Sequence, residues 1–402
     1  MILKWRLLWI STFGVLLGFQ PAILLAQTPQ VDHEREAAYS FEQQGDTAQA
    51  QEAWLAVLKS HPSDAEANAH LGLLEARQEH YSEAVSYYRR ALELDSAMPG
   101  LELNLGLSLF KGGQLKEAAD VFTSLLKSQP QGSPEALRLI TLIGLADYGA
   151  GEYATAVPYL KQATAGDPQN LPFRLALAHS CLRSQQYQCV IDVYREILTL
   201  NAESAEADML AGEALDEMKD KPGAIEQFRA AVKADPKMPD VHFGLGYLLW
   251  SQFQLDEAAR EFQAELNNNP NHPQALTYLA DSEIKLNHPE PAMALLEKAI
   301  AIDAKIQLAH LDLGSLYIDA GRTNDALREL KIAEQLDPGD QNVHFRLGRF
   351  YKSLGKTEEA NAEFEKTKSL QKARDESLIQ KLHPSETSIS PEADKTGVPP
   401  SN

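Results

Sequence analysis

The sequence predicts an all-α solenoid of about ten helix–turn–helix units, each 34 residues long, followed by a C-terminal capping helix. Three columns of residues that recur at this period predict it. Position 8 of each unit is small, position 20 is almost always alanine, and position 24 is large and apolar. Self-similarity at a period of this length indicates an array in which each unit packs only on its neighbours.

The first 26 residues precede the repeats and differ from them in composition. Lys4 and Arg6 carry the only charges, and residues 7–26 are uncharged and largely apolar. A basic start, an apolar stretch and a small residue at its end predict a secretory signal peptide, cleaved before Gln27. The alternative is an uncleaved membrane anchor formed by residues 7–26, since about 20 apolar residues can span a bilayer.

After a short linker at residues 27–30, ten units occupy residues 31–374, with a four-residue insertion near 131–134. Position 8 holds only Gly or Ala: Ala38, Gly72, Gly106, Gly144, Ala178, Gly212, Gly246, Ala280, Gly314 and Gly348. Position 20 holds Ala50, Ala84, Ala118, Ala156, Val190, Ala224, Ala258, Ala292, Ala326 and Ala360. Position 24 holds Trp54, Tyr88, Phe122, Leu160, Tyr194, Phe228, Phe262, Leu296, Leu330 and Phe364.

Each column has a mechanical reason. Small residues at positions 8 and 20 let two antiparallel helices approach closely, and the large residue at position 24 fills the space beside that contact. Glycines at position 15 predict a left-handed residue where the first helix ends: Gly45, Gly113, Gly151, Gly321 and Gly355. Prolines at position 32 end the second helix before the next unit begins: Pro62, Pro130, Pro168, Pro236, Pro270 and Pro338.

The helical pattern continues beyond the tenth unit through residues 375–382. Four apolar residues cover the last exposed face of the array, as the end of a solenoid requires: Leu370, Leu378, Ile379 and Leu382. Residues 383–402 are rich in Pro, Ser and Thr, which predicts a disordered tail that is either a tether or a frayed end.

Composition excludes several classes of function. The chain has 37 Lys and Arg against 57 Asp and Glu, a net charge of −20. That balance argues against a nucleic-acid partner, which would need clustered cations, and suits a soluble protein or one with a basic partner. A length of 402 residues ordinarily predicts two to four globular domains, but the repeats assign most of the chain to one array.

The repeats resemble the tetratricopeptide repeat (TPR). A Leu-Gly pair recurs at the family's spacing, as Leu71-Gly72, Leu105-Gly106, Leu245-Gly246, Leu313-Gly314 and Leu347-Gly348. Residues 91–95 (ALELD) are similar to the end of the family's second helix. This sequence departs from the pattern at Val190 and at Glu265, which weakens the seventh unit, and it lacks the family's Trp near the start of each first helix.

The resemblance implies a right-handed superhelix whose concave surface is lined by the first helix of each unit, at positions 2, 5, 6, 9, 12 and 13. Some members of the family carry a Lys/Asn/Arg clamp there for a peptide's terminal carboxylate. Positions 5 and 9 of this sequence are mostly apolar or acidic, so capture of a C-terminal tail is not expected.

Two apolar stretches are candidates for a partner-binding groove. Phe243, Tyr247 and Trp250 are spaced i, i+4, i+7, which places them on one helical face, with Tyr278 following in the next unit. A second stretch comes from the third and fourth units: Leu103, Leu107, Phe110, Leu145 and Tyr148. Large aromatic residues suit recognition of an extended or helical segment. The alternative is packing against the neighbouring unit.

A possible site for an acidic partner lies in the tenth unit. Arg346, Arg349 and Lys352 share one helical face in an otherwise acidic chain. They either bind an acidic partner segment or balance neighbouring Glu residues.

No constellation of residues predicts catalysis. The sequence has no Gly-rich phosphate loop after a strand and no His-Glu-x-x-His motif. His242, His310 and His344 share position 4 of their units, so they recur by repeat geometry and favour a structural role over a metal site. We therefore expect no catalytic residue, no metal, no cofactor and no small-molecule substrate.

The two cysteines, Cys181 and Cys189, flank the turn of the fifth hairpin. In an oxidising compartment a disulfide across that hairpin is plausible. The alternative is a buried Cys181 and an exposed thiol at Cys189.

Together these features predict an exported, non-catalytic scaffold, periplasmic or secreted, that binds a protein or peptide segment in a concave groove. Contact with a membrane is expected only through an uncleaved N-terminal segment. The alternative function is a regulatory or substrate-presenting subunit of an envelope enzyme or of a secretion or assembly complex.

Overall fold

The computed structural model describes residues 29–200 and 203–382, so the predicted signal peptide and the predicted tail lie outside the described residues. Within this part every regular element is a helix, and twenty helices follow one another along the chain, joined by short connections. Pro29, which the sequence assigns to the linker, already begins the first helix. None of the described helices combines the length and apolar character that a membrane crossing requires.

The chain divides into two compact units, Met1–Gly223 and Ala224–Asn402. The helices of the first unit are α1 Pro29–Gln44, α2 Thr47–Ser60, α3 Ala65–Arg77, α4 Tyr81–Leu94, α5 Leu101–Lys111, α6 Leu115–Leu126, α7 Pro134–Ala150, α8 Tyr153–Gly166, α9 Leu171–Arg183, α10 Tyr187–Thr199 and α11 Ala205–Glu217. Helix α12, Lys221–Ala234, begins at the end of this unit and lies mainly in the second.

The second unit continues with α13 Val241–Ser251, α14 Leu255–Asn268, α15 Pro273–Lys285, α16 Pro289–Ile302, α17 Gln307–Asp319, α18 Thr323–Leu336, α19 Gln341–Ser353 and α20 Thr357–Leu382. The predicted cap is therefore the end of one continuous helix that starts in the tenth unit. Leu370 is half-buried in it and Ile379 is exposed.

Position 8 faces position 24 of the same hairpin at six glycines, as the sizes of the two columns predict: Gly72, Gly106, Gly144, Gly246, Gly314 and Gly348. A Cβ atom added at Gly72 would lie 2.8 Å from the Tyr88 ring, and one added at Gly106 would lie 2.6 Å from the Phe122 ring. Both rings are fully buried, so neither can move aside freely. The small column therefore sets how closely the two helices of a unit approach.

Position 15 adopts a left-handed backbone in all ten units. Five are the glycines that the sequence predicts there, with φ between 71° and 80°. The other five also have positive φ, although they carry side chains: Glu79, Gln185, Lys219, Phe253 and Asn287. The turn geometry of the hairpin thus overrides the preference of these residues for negative φ.

Within each of the two compact units, the first helices of successive hairpins lie side by side. In the first unit α3 contacts α5, and α7 contacts α9; in the second unit α13 contacts α15, α15 contacts α17, and α17 contacts α19. We call the surface that these helices share the odd-helix face.

Candidate functional site

Four rings that the sequence assigns to a groove meet on the odd-helix face of the second unit. Phe243, Tyr247 and Trp250 of α13 surround Tyr278 of α15, with ring centroids 6.0, 5.3 and 4.9 Å from that of Tyr278. We call these four residues the aromatic cluster. The rings of Phe243, Trp250 and Tyr278 are half-buried, while Tyr247 is 38% exposed. The spacing in the sequence thus predicted which rings meet, and Phe243 and Tyr278 also pack against the Phe262 ring.

A buried carboxylate fixes one edge of the aromatic cluster. Oδ2 of Asp281, a residue of α15 that is only 5% exposed, accepts hydrogen bonds from the indole N–H of Trp250 and from the ammonium of Lys285. The Lys285 Nζ atom also lies 4.4 Å from the centroid of the Trp250 ring. A cation in this position is attracted by both the carboxylate and the face of the indole.

A second carboxyl group, that of Asp312 on α17, lies beside Asp281. Its Oδ2 atom is buried and has no hydrogen-bond partner among the described residues. Burial, followed by repulsion from Asp281, raises the pKa of Asp312 to about 8, although Lys285 and Arg346 oppose this rise. This side chain is therefore largely protonated at neutral pH.

Sequence reasoning missed Asp281, Lys285 and Asp312. They occupy positions 9, 13 and 6 of their units, which are positions that the TPR resemblance assigns to the concave surface. The signal was present in the register, but single charged residues on a helix usually face solvent, and burial depends on the neighbouring helix.

The second predicted stretch, in the first unit, contributes to two core clusters. The side chains of Leu103, Leu107 and Phe110 are half-buried against the core around α5 and α6. Those of Leu145 and Tyr148 pack against the core around α9 and α10. The packing alternative thus accounts for much of their area, and contact of these residues with a partner stays a prediction.

The three cations of the tenth unit form an exposed stripe along α19. Arg346, Arg349 and Lys352 are exposed, and within the described part of the chain none has a carboxylate oxygen within 4.0 Å. By contrast, Lys366 on α20 pairs with both Glu334 and Glu363. Direct ion pairs with neighbouring Glu residues therefore do not explain the stripe.

The recurring histidines join the two helices of their own hairpins. Each Nδ1 atom lies 2.6–2.7 Å from a Glu oxygen nineteen residues later in the chain: His242 with Glu261, His310 with Glu329, and His344 with Glu363. The Nε2 atom of His310 faces the carbonyl of Ala304, and that of His344 faces the carbonyl of Pro338. These contacts agree with the structural role that the sequence predicts.

Two groups of side chains have the composition of metal ligands. One is Asp240, Glu265 and His272; the other is Glu334, His344 and Glu363. His272 accepts the N–H of Ala275 at Nδ1, so its Nε2 atom carries the proton and donates to Asp240. In the other group, the Lys366 ammonium already bonds both glutamates. Hydrogen bonds and ion pairs therefore account for both groups.

Glu265 does not weaken the seventh unit in the way that the sequence suggests. It is 1% exposed, and its two carboxylate oxygens accept the backbone N–H groups of Asp240 and Phe243 at the start of α13. Helix α13 has no side-chain cap of its own, so a carboxylate from α14 replaces one. The apparent irregularity is a cap supplied by the partner helix of the hairpin.

Cys181 and Cys189 form a disulfide bond across the fifth hairpin, with their Cα atoms 5.9 Å apart. Cys181 is fully buried, and Cys189 packs against the same core cluster.

The comparison with protein families decides the identity of the repeat. Two profiles, each described as "Tetratricopeptide repeat", match this chain. One matches residues 35–99, 191–239, 209–266 and 243–305, and the other matches residues 75–143, 148–210 and 317–383. The chain belongs to the tetratricopeptide-repeat family. TPR arrays are protein–protein interaction scaffolds, which is the coarse function that the repeats indicate here.

Two proteins match part of this chain at low identity. The "Protein CTR9 homolog" of Arabidopsis thaliana is 24% identical over 303 residues, which cover 73% of this chain and 27% of the relative. The "BBSome complex member BBS4" of Bos taurus is 25% identical over 223 residues, or 54% of this chain and 41% of the relative. The chain thus spans less than half the length of either relative.

Among solved structures, YrrB, titled "a TPR protein with an unusual peptide-binding site", is 19% identical with a TM-score of 0.38. The match covers 47% of this chain and 97% of YrrB.

Proposed function

We propose that this TPR protein binds a segment of another protein on the odd-helix face of its second unit, with the aromatic cluster as the principal contact. The observation that carries the proposal is the convergence of four rings from α13 and α15 on one face, where Tyr247 remains 38% exposed. Rigid aromatic side chains supply large contact area at low entropic cost and dominate many interfaces. The scaffold acts by binding and needs no catalytic residue of its own.

Replacing Tyr247 and Trp250 together by Ala tests this proposal. Loss of a central aromatic pair commonly costs an interface ~2 kcal/mol or more, about thirtyfold in affinity. We expect the wild-type chain to retain specific proteins from the source's envelope fraction, identified by mass spectrometry, and the double variant to lose them.

The matched control is Phe253→Ala, which removes an aromatic side chain that is 78% exposed and three residues beyond the cluster. Circular dichroism must show unchanged helix content in both variants. Retention of the same proteins by the Tyr247/Trp250 variant at the wild-type level would refute the groove assignment.

We further propose that the chain is exported, with residues 1–26 removed as a signal peptide. The basic and apolar pattern of these residues supports this, and so does the Cys181–Cys189 disulfide, since such bonds persist in oxidising compartments. Mass spectrometry of the protein from its source is expected to find a chain that begins at Gln27, with no free thiol after denaturation without reductant. A full-length chain in the membrane fraction would support the anchor instead, and two free thiols would contradict the oxidising compartment.

A further inference from the structure

The aromatic cluster already holds a cation. The Lys285 ammonium lies 4.4 Å from the centroid of the Trp250 ring and 2.5 Å from Oδ2 of Asp281. The Trp250 indole donates to the same oxygen, so this hydrogen bond fixes the ring and the carboxylate relative to each other. An indole face combined with a carboxylate is a receptor for an ammonium or a guanidinium group. The side chain of Lys285 is 36% exposed, so its ammonium is accessible to exchange with solvent or with a ligand.

Next to this receptor lies a carboxyl group that lacks a donor. The buried Oδ2 atom of Asp312 has no hydrogen-bond partner in the described part of the chain. Two cations, Lys285 and Arg346, are close enough to act on Asp312 electrostatically, but neither bonds to it. A buried acceptor without a donor costs free energy of folding, which a ligand that donates a hydrogen bond there recovers on binding.

We propose that the odd-helix face of the second unit recognises a Lys or Arg side chain of the partner segment. The cationic group sits between the Trp250 ring and the carboxyl groups of Asp281 and Asp312, and it displaces Lys285, which occupies the place in the free protein. This inference rests on the proposed function and adds the chemistry of the partner. The segment carries apolar or aromatic residues for the aromatic cluster and a basic residue beside them.

The charges on this face fix where the basic residue lies. Asp281 and Asp312 lie on α15 and α17, beside the aromatic cluster, whereas Arg346, Arg349 and Lys352 line α19. A partner cation is attracted by Asp281, and by Asp312 once that carboxyl group ionises, and it is repelled by Arg349 and Lys352; Arg346, which acts on Asp312 electrostatically, lies between the two regions. The basic residue therefore binds next to the rings and away from α19.

Selection of peptides by the full chain tests the proposal. A phage-displayed library of random dodecapeptides is enriched on the wild-type protein and on Asp312→Asn, and the selected pools are sequenced. A bound cation favours the ionised form of Asp312, which Asn cannot adopt. We therefore expect wild-type pools to carry Lys or Arg beside apolar residues, and Asp312→Asn pools to lose about tenfold in basic-residue enrichment, as expected for loss of a charged hydrogen bond. Asp319→Asn, which removes an exposed acid from the same helix, is the matched control and is expected to keep the preference.

A second measurement tests the displacement of Lys285. One selected peptide is titrated by fluorescence anisotropy alongside the same peptide with its basic residue replaced by citrulline or acetyl-lysine, which are uncharged analogues. We expect the charged peptide to bind about tenfold more tightly, and Lys285→Met to increase this preference further. Arg349→Met, which removes an exposed cation at a distance from Trp250, controls for the change in net charge.

The outcomes separate this inference from the proposed function. If selected peptides need Tyr247 and Trp250 but bind equally with and without the charge, the binding face stands and the cation receptor is refuted. Pools dominated by acidic peptides would refute it as well and would assign recognition to the stripe on α19. If no peptide is selected, or if binding ignores Tyr247 and Trp250, both proposals fail.

Discussion

Phe253 shows how the repeat imposes a backbone conformation on an unsuitable residue. It lies in the turn just after α13, the first helix of the seventh unit, at φ 58°, a region that costs a residue with a side chain about 1–2 kcal/mol. Its side chain is 78% exposed and returns little packing energy. Strain at this position is therefore not offset by local contacts.

We expect Phe253→Gly to stabilise the second unit by about 1 kcal/mol, because relief of the left-handed strain exceeds the added chain entropy of glycine. Chemical denaturation followed by circular dichroism measures the change. The reverse substitution, Gly321→Ala, is the matched test: φ is 71° and a Cβ atom would touch nothing within 4 Å, so only backbone strain is added. If Phe253→Gly destabilises the protein, the exposed ring has an unrecognised role in folding.

Asp312 makes stability depend on pH. Its pKa in the folded protein is about 8, raised from 3.8, so the folded state holds the proton more tightly than the unfolded state. The stabilisation of the folded state that comes from this proton is therefore fully present below about pH 4 and is lost as the pH rises to about 8. We expect Asp312→Asn to remove this loss. The free energy of unfolding of the variant minus that of wild type should therefore be larger above pH 8 than at pH 4.

Urea denaturation across that range measures the two profiles, and Asp319→Asn supplies the control for removal of an acid from α17. Parallel profiles for wild type and Asp312→Asn would show that the carboxyl group ionises freely in the folded protein.

At the scale of the element, the hairpin could be predicted almost completely from the sequence. Its two helices and its inner contact follow from the recurring small and large residues, and Gly246 lies against the Phe262 ring as the two columns require. The glycines at position 15 predict the left-handed turn in five units, and the other five adopt it without glycine. This succeeds because each unit packs mainly on itself and its neighbours, so local sequence carries most of the information.

What the sequence could not predict depends on atoms from a second helix. Glu265 appeared to weaken its unit because its carboxylate had no visible partner along the chain, yet it caps α13 from α14. The candidate site likewise has a part that the sequence could predict and a part that it could not. The rings could be predicted from their spacing on α13, but the acceptor that joins Trp250 to Lys285 lies on α15, and only the register of the two helices reveals it.

At the scale of the whole molecule, the chain forms two compact units, and the disulfide lies in the first. The described residues place one tryptophan in each unit, Trp54 in the first and Trp250 in the second. The other two, Trp5 and Trp9, fall within the predicted signal peptide. The part of the chain that the structure describes therefore carries a separate tryptophan fluorophore in each unit.

Replacing both Cys181 and Cys189 by Ser is expected to destabilise the first unit alone. Their sequence separation of 8 predicts a loss of about 2.5 kcal/mol in the free energy of unfolding on the chain-entropy model. Replacement of the buried Cys181 by Ser also adds a buried hydroxyl group. Denaturation is followed by fluorescence in Trp250→Phe and Trp54→Phe backgrounds, so that each curve reports one unit. We expect the Trp54 transition to move to lower denaturant while the Trp250 transition stays in place.

The matched control is reduction of the wild-type disulfide, which opens the same loop without changing a side chain. It should shift the Trp54 transition in the same direction and by a smaller amount, since the buried sulfur of Cys181 is kept. An equal shift of both transitions would mean that the units unfold together. In that case local stability, including that of the proposed binding face around Trp250, would be set by the array as a whole, because a cooperative array distributes any loss over all its members.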